Sequence, residues 1–381
     1  MNEHSPSATM LATRAPAPVA AAGEVAVACY DNELPPFLEA QLQHLYGNIH
    51  STLAHLRIYG GLSEVSHVYV ARRADRVTAA LLFCHSGNTV RVINEGMLLD
   101  ADAVSRFAAF VFARWPSVGA IRFRAVQSAI EAIGYPFQQY ASTANIVLPL
   151  PATAGEYVAS LGKNMRRNLR RYMDRLKRDF PEVRYEISER AAVNEAQLRA
   201  IIELNRVRVA GKNLRYGLED EVDKVIALAR ECGMVGAMTI DGRVIAGAIG
   251  YFAGSNYFFK VIAHDPAYND YSAGILCCYQ TICACIARGC REYNFMWNEY
   301  EYKFALGAHS RSLHDVVVYR SRQRVLLSAP LALRTAAAGW RYRASALLEK
   351  AGKPESLAPA ERFALRILDG LRNAKRLLAR R

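Results

Sequence analysis

The sequence lacks any run of about 18 consecutive apolar residues, so no membrane-spanning helix is expected. It also lacks a paired C-x-x-C arrangement. Of its eight cysteines, five fall between Cys277 and Cys290 in a segment patterned as a helix, where Cys277 and Cys278 are adjacent and Cys283 and Cys285 two apart. Helical neighbours at those offsets point different ways, so the thiols do not converge as zinc ligands would, and no metal is expected. Small buried residues in a reducing compartment is what they suggest. His264 and His314 have no Ser or Cys partner in a nucleophile motif, so no triad is built from them. Acids are scarce in two places: Leu161–Arg178 holds eight basic residues against one acid, and Leu331–Arg381 twelve against four. The formal charge of +13 is therefore local, and local basicity implies anionic partners.

What is present is an ordinary globular composition, 52% hydrophobic and 22% charged, over 381 residues, a length that suggests two to three domains. The Ala/Pro/Ser-rich start reads as a disordered leader. His67–Val70, Val77–Cys84 and Thr89–Asn94 pattern as a three-strand meander, followed by a helix over Ala101–Ala113 and a strand over Ala120–Arg124, with a helical region at Leu34–Tyr59 in front. The same order recurs in strands at Met234–Ile240, Arg243–Phe252 and Tyr257–Ala263, a helix from Ala273, and strands at Tyr293–Trp297 and Asp315–Tyr319. The expectation is an α/β fold of two duplicated lobes, each a mixed sheet flanked by helices, plus a basic helical tail.

Boundaries follow from these segments: a leader at 1–24, a scaffold lobe at 25–150, a catalytic lobe at 151–325 with a basic helix at 161–180 and a helical insertion at 194–232, and a basic amphipathic tail at 326–381. The lobes differ at the turn before their helix. Asn94–Asp100 has one Gly and two acids, and its carboxylates would repel phosphate. The second turn, ending Ser272-Ala273-Gly274, offers an N-cap serine and a bare first helical turn whose N–H groups favour phosphate. On the basic helix, Lys163, Arg166, Arg167, Arg170 and Arg171 fall on one side, with an apolar stripe from Met165 to Phe180 offset from it. That charged face suits an anion: coenzyme phosphates, an anionic acceptor, a lipid headgroup or RNA. The insertion turns around Gly211, where Arg206, Arg208, Lys212, Asn213, Arg215 and Tyr216 cluster. Tail helices at Leu331–Lys350 and Ala358–Arg380 either dock on the protein or lie on an anionic membrane surface.

These residues carry a resemblance. Pro266, Tyr268 and the run Asn269, Asp270, Tyr271, Ser272, Ala273 and Gly274 are similar to the loop that holds the coenzyme A pyrophosphate in the GNAT acetyltransferase superfamily, although only the last glycine is shared. Asn294-Phe295 and Tyr302-Lys303 sit at the spacing of the signature of the CelD-like branch, related to the Fem-type peptidoglycan aminoacyltransferases, with Asn294 and Asn298 where that signature has Asp and Gly. Ser160–Arg171 resembles the arginine-rich helix of the same branch.

The resemblance implies an N-acyltransferase that moves an acyl group from acyl-CoA, or an acyl carrier protein, to an amine acceptor by direct attack in a cleft between lobes. It implies backbone contacts to the thioester from Val261, Ile262 and Ala263, and a role for Lys303 in binding an acceptor carboxylate or steadying developing charge. Acyl transfer also needs a base and an acid. Glu299 is the first choice of base, on the argument that nearby rings would raise its pKa, and Tyr302 is a candidate acid. Coenzyme A is expected as co-substrate rather than resident cofactor, and the protein is expected in the cytoplasm, peripheral to the inner membrane face if the tail binds there. Two other readings remain open: an aminoacyl-tRNA donor gripped by the basic helix, and a nucleic-acid or membrane-surface binding protein without catalysis.

Overall fold

A computed structural model describes residues 25–351 except 129 and 212–215, with side chains to Ala344. The expected leader, the second tail helix and Lys212, Asn213 and Arg215 lie outside the described residues. In chain order the elements of the first half are β1 (Val25–Asp31), α1 (Leu38–Tyr46), α2 (Leu53–Tyr59), β2 (His67–Arg73), β3 (Arg76–Ser86), β4 (Thr89–Val92), α3 (Ala101–Arg114), β5 (Ala120–Val126) and β6 (Phe137–Pro149). The second half runs α4 (Ala154–Ser160), α5 (Lys163–Asp179), β7 (Arg184–Glu189), α6 (Glu195–Ala210), α7 (Val222–Cys232), β8 (Gly233–Ile240), β9 (Arg243–Ala253), β10 (Asn256–His264), α8 (Ala273–Ala287), β11 (Glu292–Asn294), α9 (Glu301–Ala305) and β12 (His309–Tyr319). Helices α10 (Arg322–Leu327) and α11 (Ala329–Ala351) follow.

All twelve strands form one sheet in the order β1-β2-β3-β4-β5-β12-β6-β11-β10-β9-β8-β7. The duplication is visible in its pairing. In each half a meander ends in a strand that pairs parallel to the next across a crossover helix: β4 to β5 through α3, and β10 to β11 through α8. The closing strands are exchanged, since β6 pairs with β11 of the second half while β12 pairs with β5 of the first. β12 and β6 also pair with each other, from His309↔Val147 to Val318↔Phe137, and that seam joins the halves. The fold is therefore the expected mixed α/β duplication. Separate cores lie on the two faces of each half, the largest joining α5 and α8 to the sheet through Leu169, Leu176, Leu276 and Ile282.

Three strands, β1, β6 and β7, are not among those expected from the sequence. The first eight residues of β6 are only half-buried, because they border a polar cleft, and β7 is an edge strand alternating Tyr185 and Ile187 with polar residues. β1 is the opposite edge. The expected strand at Tyr293–Trp297 is shorter, ending at Asn294, and the last strand starts at His309 rather than Asp315.

Candidate active site

The two crossovers diverge at the same point in the fold. In the first half the chain leaving β4 is stitched back to β5: the Gly96 N–H donates to the Ala125 carbonyl at 2.9 Å, and the Gln127 N–H to that of Met97 at 2.7 Å. Gly96 has φ +72°, and a Cβ there would overlap the Asn48 amide, whose Nδ2 donates to the Gly96 carbonyl. Asn48 and Gln127 thus fill the space between the strands.

In the second half that space stays open. β10 pairs with β11 only over Asn256–Phe258 and then continues beside β9 to His264, with a bulge between Phe259 and Val261. A bulge increases local twist and bends a strand away from its neighbour. The chain leaving β11 stays instead with β6, as the Phe295 N–H donates to the Ile146 carbonyl at 2.7 Å. It then turns sharply through Met296 (φ 57°) and Asn298 (φ 66°), conformations that for a methionine cost on the order of 1 kcal/mol or more.

Lys303 explains how that turn persists. Its side chain is buried, and Nζ donates to the carbonyls of Phe295 (2.9 Å), Trp297 (2.5 Å) and Asn298 (2.8 Å). An ammonium has three protons, so all are committed here. Desolvation pulls its pKa down to about 8. The structure thus gives Lys303 the task of ordering the turn that carries Met296 and Trp297.

Two neighbouring cavities open off this gap. The first, about 190 Å³, is lined by Phe259, Lys260 and Ile262 of β10, the Phe295–Asn298 turn, Tyr300, Tyr302 and Lys303, and by Asn205, Arg208 and Leu218 of the helical insertion. Burial pushes the Tyr302 hydroxyl pKa far up, so it is held protonated. Arg208 Nε is buried and lacks a hydrogen-bond partner among the described residues, and Asn205 donates to the Ile262 carbonyl at 2.7 Å. The second cavity, about 180 Å³, shares Lys260, Met296 and Trp297 and adds His50, His55 and Tyr59 from the first half, with Glu221 and Tyr251. His50 stacks on Trp297 at 5.4 Å and meets His55 edge-on at 4.7 Å. Desolvation first, then His55 and Lys260 for His50 and Lys260 for His55, holds both imidazoles neutral, with pKa values lowered to about 3 and 4. Lys260 pairs with Glu221 at 2.8 Å. A third, wider cavity of about 700 Å³ is reached past Trp297 and is lined by Glu95, Arg124, Tyr140, Asp315 and Arg341.

At the far end of the gap lies the loop Asn269–Gly274. Ser272 adopts a left-handed conformation (φ 49°) and its side chain does not cap α8, contrary to the N-cap role expected of it, so the first N–H groups of the helix are not taken by a capping side chain. Ala273 and Gly274 are buried, and a Cβ at Gly274 would stand 2.8 Å from His264 Nδ1. The basic helix packs against this loop. Arg175 donates to the Asp270 carbonyl and stacks over the Tyr271 ring, Tyr271 donates to Asp179 at 3.1 Å, and Phe180 meets both Tyr268 and Tyr271 edge-on. Lys163, Arg166, Arg167, Arg170 and Arg171 are exposed and have no ion pair among the described residues.

The structure brings Tyr302 and Lys303 to the cavity together with Ile262 of β10, and sets the loop beside the basic helix; Val261 and Ala263 do not line the cavity and are buried in the core beneath α6 and α7. It does not bring Glu299 in: that carboxylate is exposed, accepts from the Ser310 hydroxyl at 3.0 Å and lines neither cavity, so the ring environment expected for it is absent. Sequence patterning does not single out His50, His55, Lys260 or Asn205, because each reaches the site only through long-range packing. Cys29, Asp31 and His67 of the outer strands do bring their ligand-type atoms within 4.8 Å of one another, where Arg114 bonds the Asp31 carboxylate at 2.6 Å.

In the second half a strand pair thus splays beside a crossover helix with an uncapped start. Residues 163–304 match the acetyltransferase (GNAT) domain. This chain carries a GNAT domain. Among solved structures, FemX aligns with a TM-score of 0.57 at 12% identity, over 76% of this chain and 96% of FemX, which shows a shared fold. L-PGS from Bacillus licheniformis aligns at 15% identity over 81% of this chain and 98% of its own, with a TM-score of 0.44. A tandem GNAT protein from the clavulanic acid biosynthesis pathway aligns at 12% identity over 77% and 98%, with a TM-score of 0.37. No curated protein matches the sequence. The GNAT match spans the basic helix, the insertion, the splayed strands and the Lys303 turn, and the first half lies outside it.

Proposed function

We propose that the protein transfers an acyl group from a coenzyme A or acyl-carrier thioester to a primary amine, by direct attack in the gap between β10 and the Phe295–Asn298 turn. The observation that carries this reading is the open gap ending at the uncapped start of α8, with the cationic face of α5 beside it. A phosphate at the loop would meet free helix N–H groups and the positive end of the helix. The pantetheine-like arm would lie along the open edge of β10 at Val261, Ile262 and Ala263, and the arginines of α5 would meet the outer phosphates.

The chemistry follows from the groups lining the cavities. The amine lone pair forms the new C–N bond, the C–S bond breaks, and the thiolate takes up a proton. Backbone N–H groups of β10 polarise the carbonyl. The thiolate ends with the proton that the amine sheds, and Tyr302, kept protonated by burial, donates a hydrogen bond to the departing sulfur. That proton passes by way of a neutral imidazole, His50 or His55, on the wall contributed by the first half, to the thiolate. Arg208, with its unsatisfied Nε, holds a carboxylate or phosphate on the acceptor.

A second reading is favoured by one observation, the five unpaired cations on α5: the donor would then be an aminoacyl-tRNA, whose backbone that face would grip. Thermal melting with acetyl-CoA, longer acyl-CoAs and bulk tRNA separates the two. A ligand at about 100 times its dissociation constant adds about 2.7 kcal/mol. A shift with an acyl-CoA upholds the first reading. A shift with tRNA alone, falling steeply with salt, replaces it with the second.

A further inference from the structure

The helices after β12 have two apolar sides where a docked helix needs one. Leu331, Ala332, Thr335, Ala338, Gly339 and Tyr342 form the inner side of α11, spaced by three and four. Gly339 crosses β6 so closely that a Cβ there would stand 3.0 Å from Tyr140, and Gln138 donates to the Ala332 carbonyl. This side accounts for the docking of α11 on the sheet. On the outer side, Leu333, Ala336, Ala337 and Trp340 repeat the same spacing and face solvent, with Leu333 70% and Trp340 66% exposed. Leu326 and Leu327 of α10 extend the exposed apolar surface at 77% and 72%. Isolated exposed leucines are unremarkable, but a contiguous helical stripe is not.

The surroundings of that stripe are of one sign. No acid occurs between Asp315 and Glu349, while the same span holds six arginines. Arg322, Arg334, Arg341 and Arg343 are exposed, and none has an ion pair among the described residues. Arg334 and Arg341 are seven residues apart and therefore flank the Leu333–Trp340 stripe along its length. The 30 residues beyond Ala351 add eight basic residues and three acids. Apolar side chains with a rim of uncompensated cations are the chemistry of a helix lying in the headgroup region of an anionic bilayer, where burial of apolar area and attraction to the surface act together.

We propose that α10 and α11 form a docking surface for an anionic phospholipid membrane. This goes beyond the acyl-transfer reading and does not depend on it. It has one structural consequence for the enzyme: Ala338, Arg341 and Tyr342 also line the third cavity, which meets the reaction cavity at Trp297. Seating α11 on a membrane would place that cavity's wall at the lipid surface.

The test is co-sedimentation of the full chain with phosphatidylcholine vesicles, with and without phosphatidylglycerol. Expected is binding to the anionic vesicles that weakens with salt, and a loss of about tenfold or more in the L333D/W340D double variant and of several-fold in R334E. Thermal melting of each variant verifies that it is folded, and L326D/L327D, which lies outside the α11 packing face, supplies a second readout. No binding to anionic vesicles overturns the proposal, as does binding that the L333D/W340D and L326D/L327D variants retain. If the full chain fails to bind but a chain ending at Ala351 binds, the occupant is the protein's own terminal segment and the proposal falls. A dimer that L333D/W340D dissociates, with no vesicle binding, makes the occupant a second copy and also overturns it.

Discussion

The two halves of this molecule share a topology and differ in what they do with one junction. In the first, Asp100 turns its carboxylate onto the Ala103 N–H at 2.6 Å, capping α3, and Asn48 and Gln127 fill the space between β4 and β5. In the second, Ser272 leaves α8 uncapped and a bulge takes β10 away from β11. Each solution has its own cost. At this junction the first half satisfies its polar groups internally and closes the crevice. The second leaves polar backbone without internal partners, a debt that a ligand can settle, and holds its strained turn through one buried lysine. A duplicated fold thus separates stability from chemistry by filling one crevice and leaving the other open.

The largest effect should come from removing what keeps the second crevice open. Lys303→Met leaves three carbonyls, that of Phe295 buried, without donors and frees the Met296 and Asn298 turn, so we expect a loss of about 3 kcal/mol in urea unfolding. Transfer activity should fall by about a hundredfold or more, because the turn places two cavity walls. Lys303→Arg should not rescue it, since a planar guanidinium cannot direct three donors at converging carbonyls. Retention of activity in Lys303→Met would sink the clamp role.

Next in size is transplanting the first half's solution into the second. Ser272→Asp puts a carboxylate at the start of α8, and acyl-CoA affinity, read by the melting shift or by calorimetry, should fall by about tenfold or more. The reciprocal Asp100→Ala should cost about 1 kcal/mol of stability and leave donor affinity unchanged. If Asp100→Ala weakened the donor as much as Ser272→Asp, the halves would not be divided as described.

How much of this was legible in residues alone follows the same division. The crossover helices, the meanders and the loop before α8 announce themselves through periodicity and turn residues, so the second crevice was locatable from Tyr257 to Lys303. The strand exchange was not. Strand β6 borders the polar cleft with Tyr140, Ser142 and Thr143, so it carries no alternation that a half-buried strand would show. The role of Lys303 was likewise out of reach, because an ammonium aimed at substrate and one aimed at carbonyls look the same in sequence. His50 and His55 are some 200 residues from the strand they face, and only packing brings them there.

Those histidines give a smaller, pH-dependent effect that probes the wall between the halves. Their folded pKa values, lowered to about 3 and 4, lie below the ordinary 6.5. The unfolded chain therefore binds protons first as pH falls. The stability they contribute is present above pH 6.5 and is lost as pH drops from there towards 4 and 3. The groups facing them are Lys260, which lowers both values, and Glu221, which raises that of His55. His50→Gln and His55→Gln should flatten the acid side of the stability profile by on the order of 2 kcal/mol relative to the native chain. Parallel profiles for native and variant chains would remove the buried-imidazole wall from the comparison.

The smallest effect should be at Glu299, and it sharpens the comparison by showing where the open crevice ends. A carboxylate serving as general base must reach the amine directly or through one water, and its loss typically costs a factor of about a hundred or more. Glu299 is exposed, holds the Ser310 hydroxyl and lies outside both cavities. Glu299→Gln preserves that hydrogen bond through the amide oxygen, so the rate should change by no more than about twofold, as for a surface carboxylate remote from the reacting atoms. Should kcat fall a hundredfold with KM unchanged, the amine must enter over Tyr300 from the solvent side, and the imidazoles contributed by the first half would be packing rather than proton acceptors.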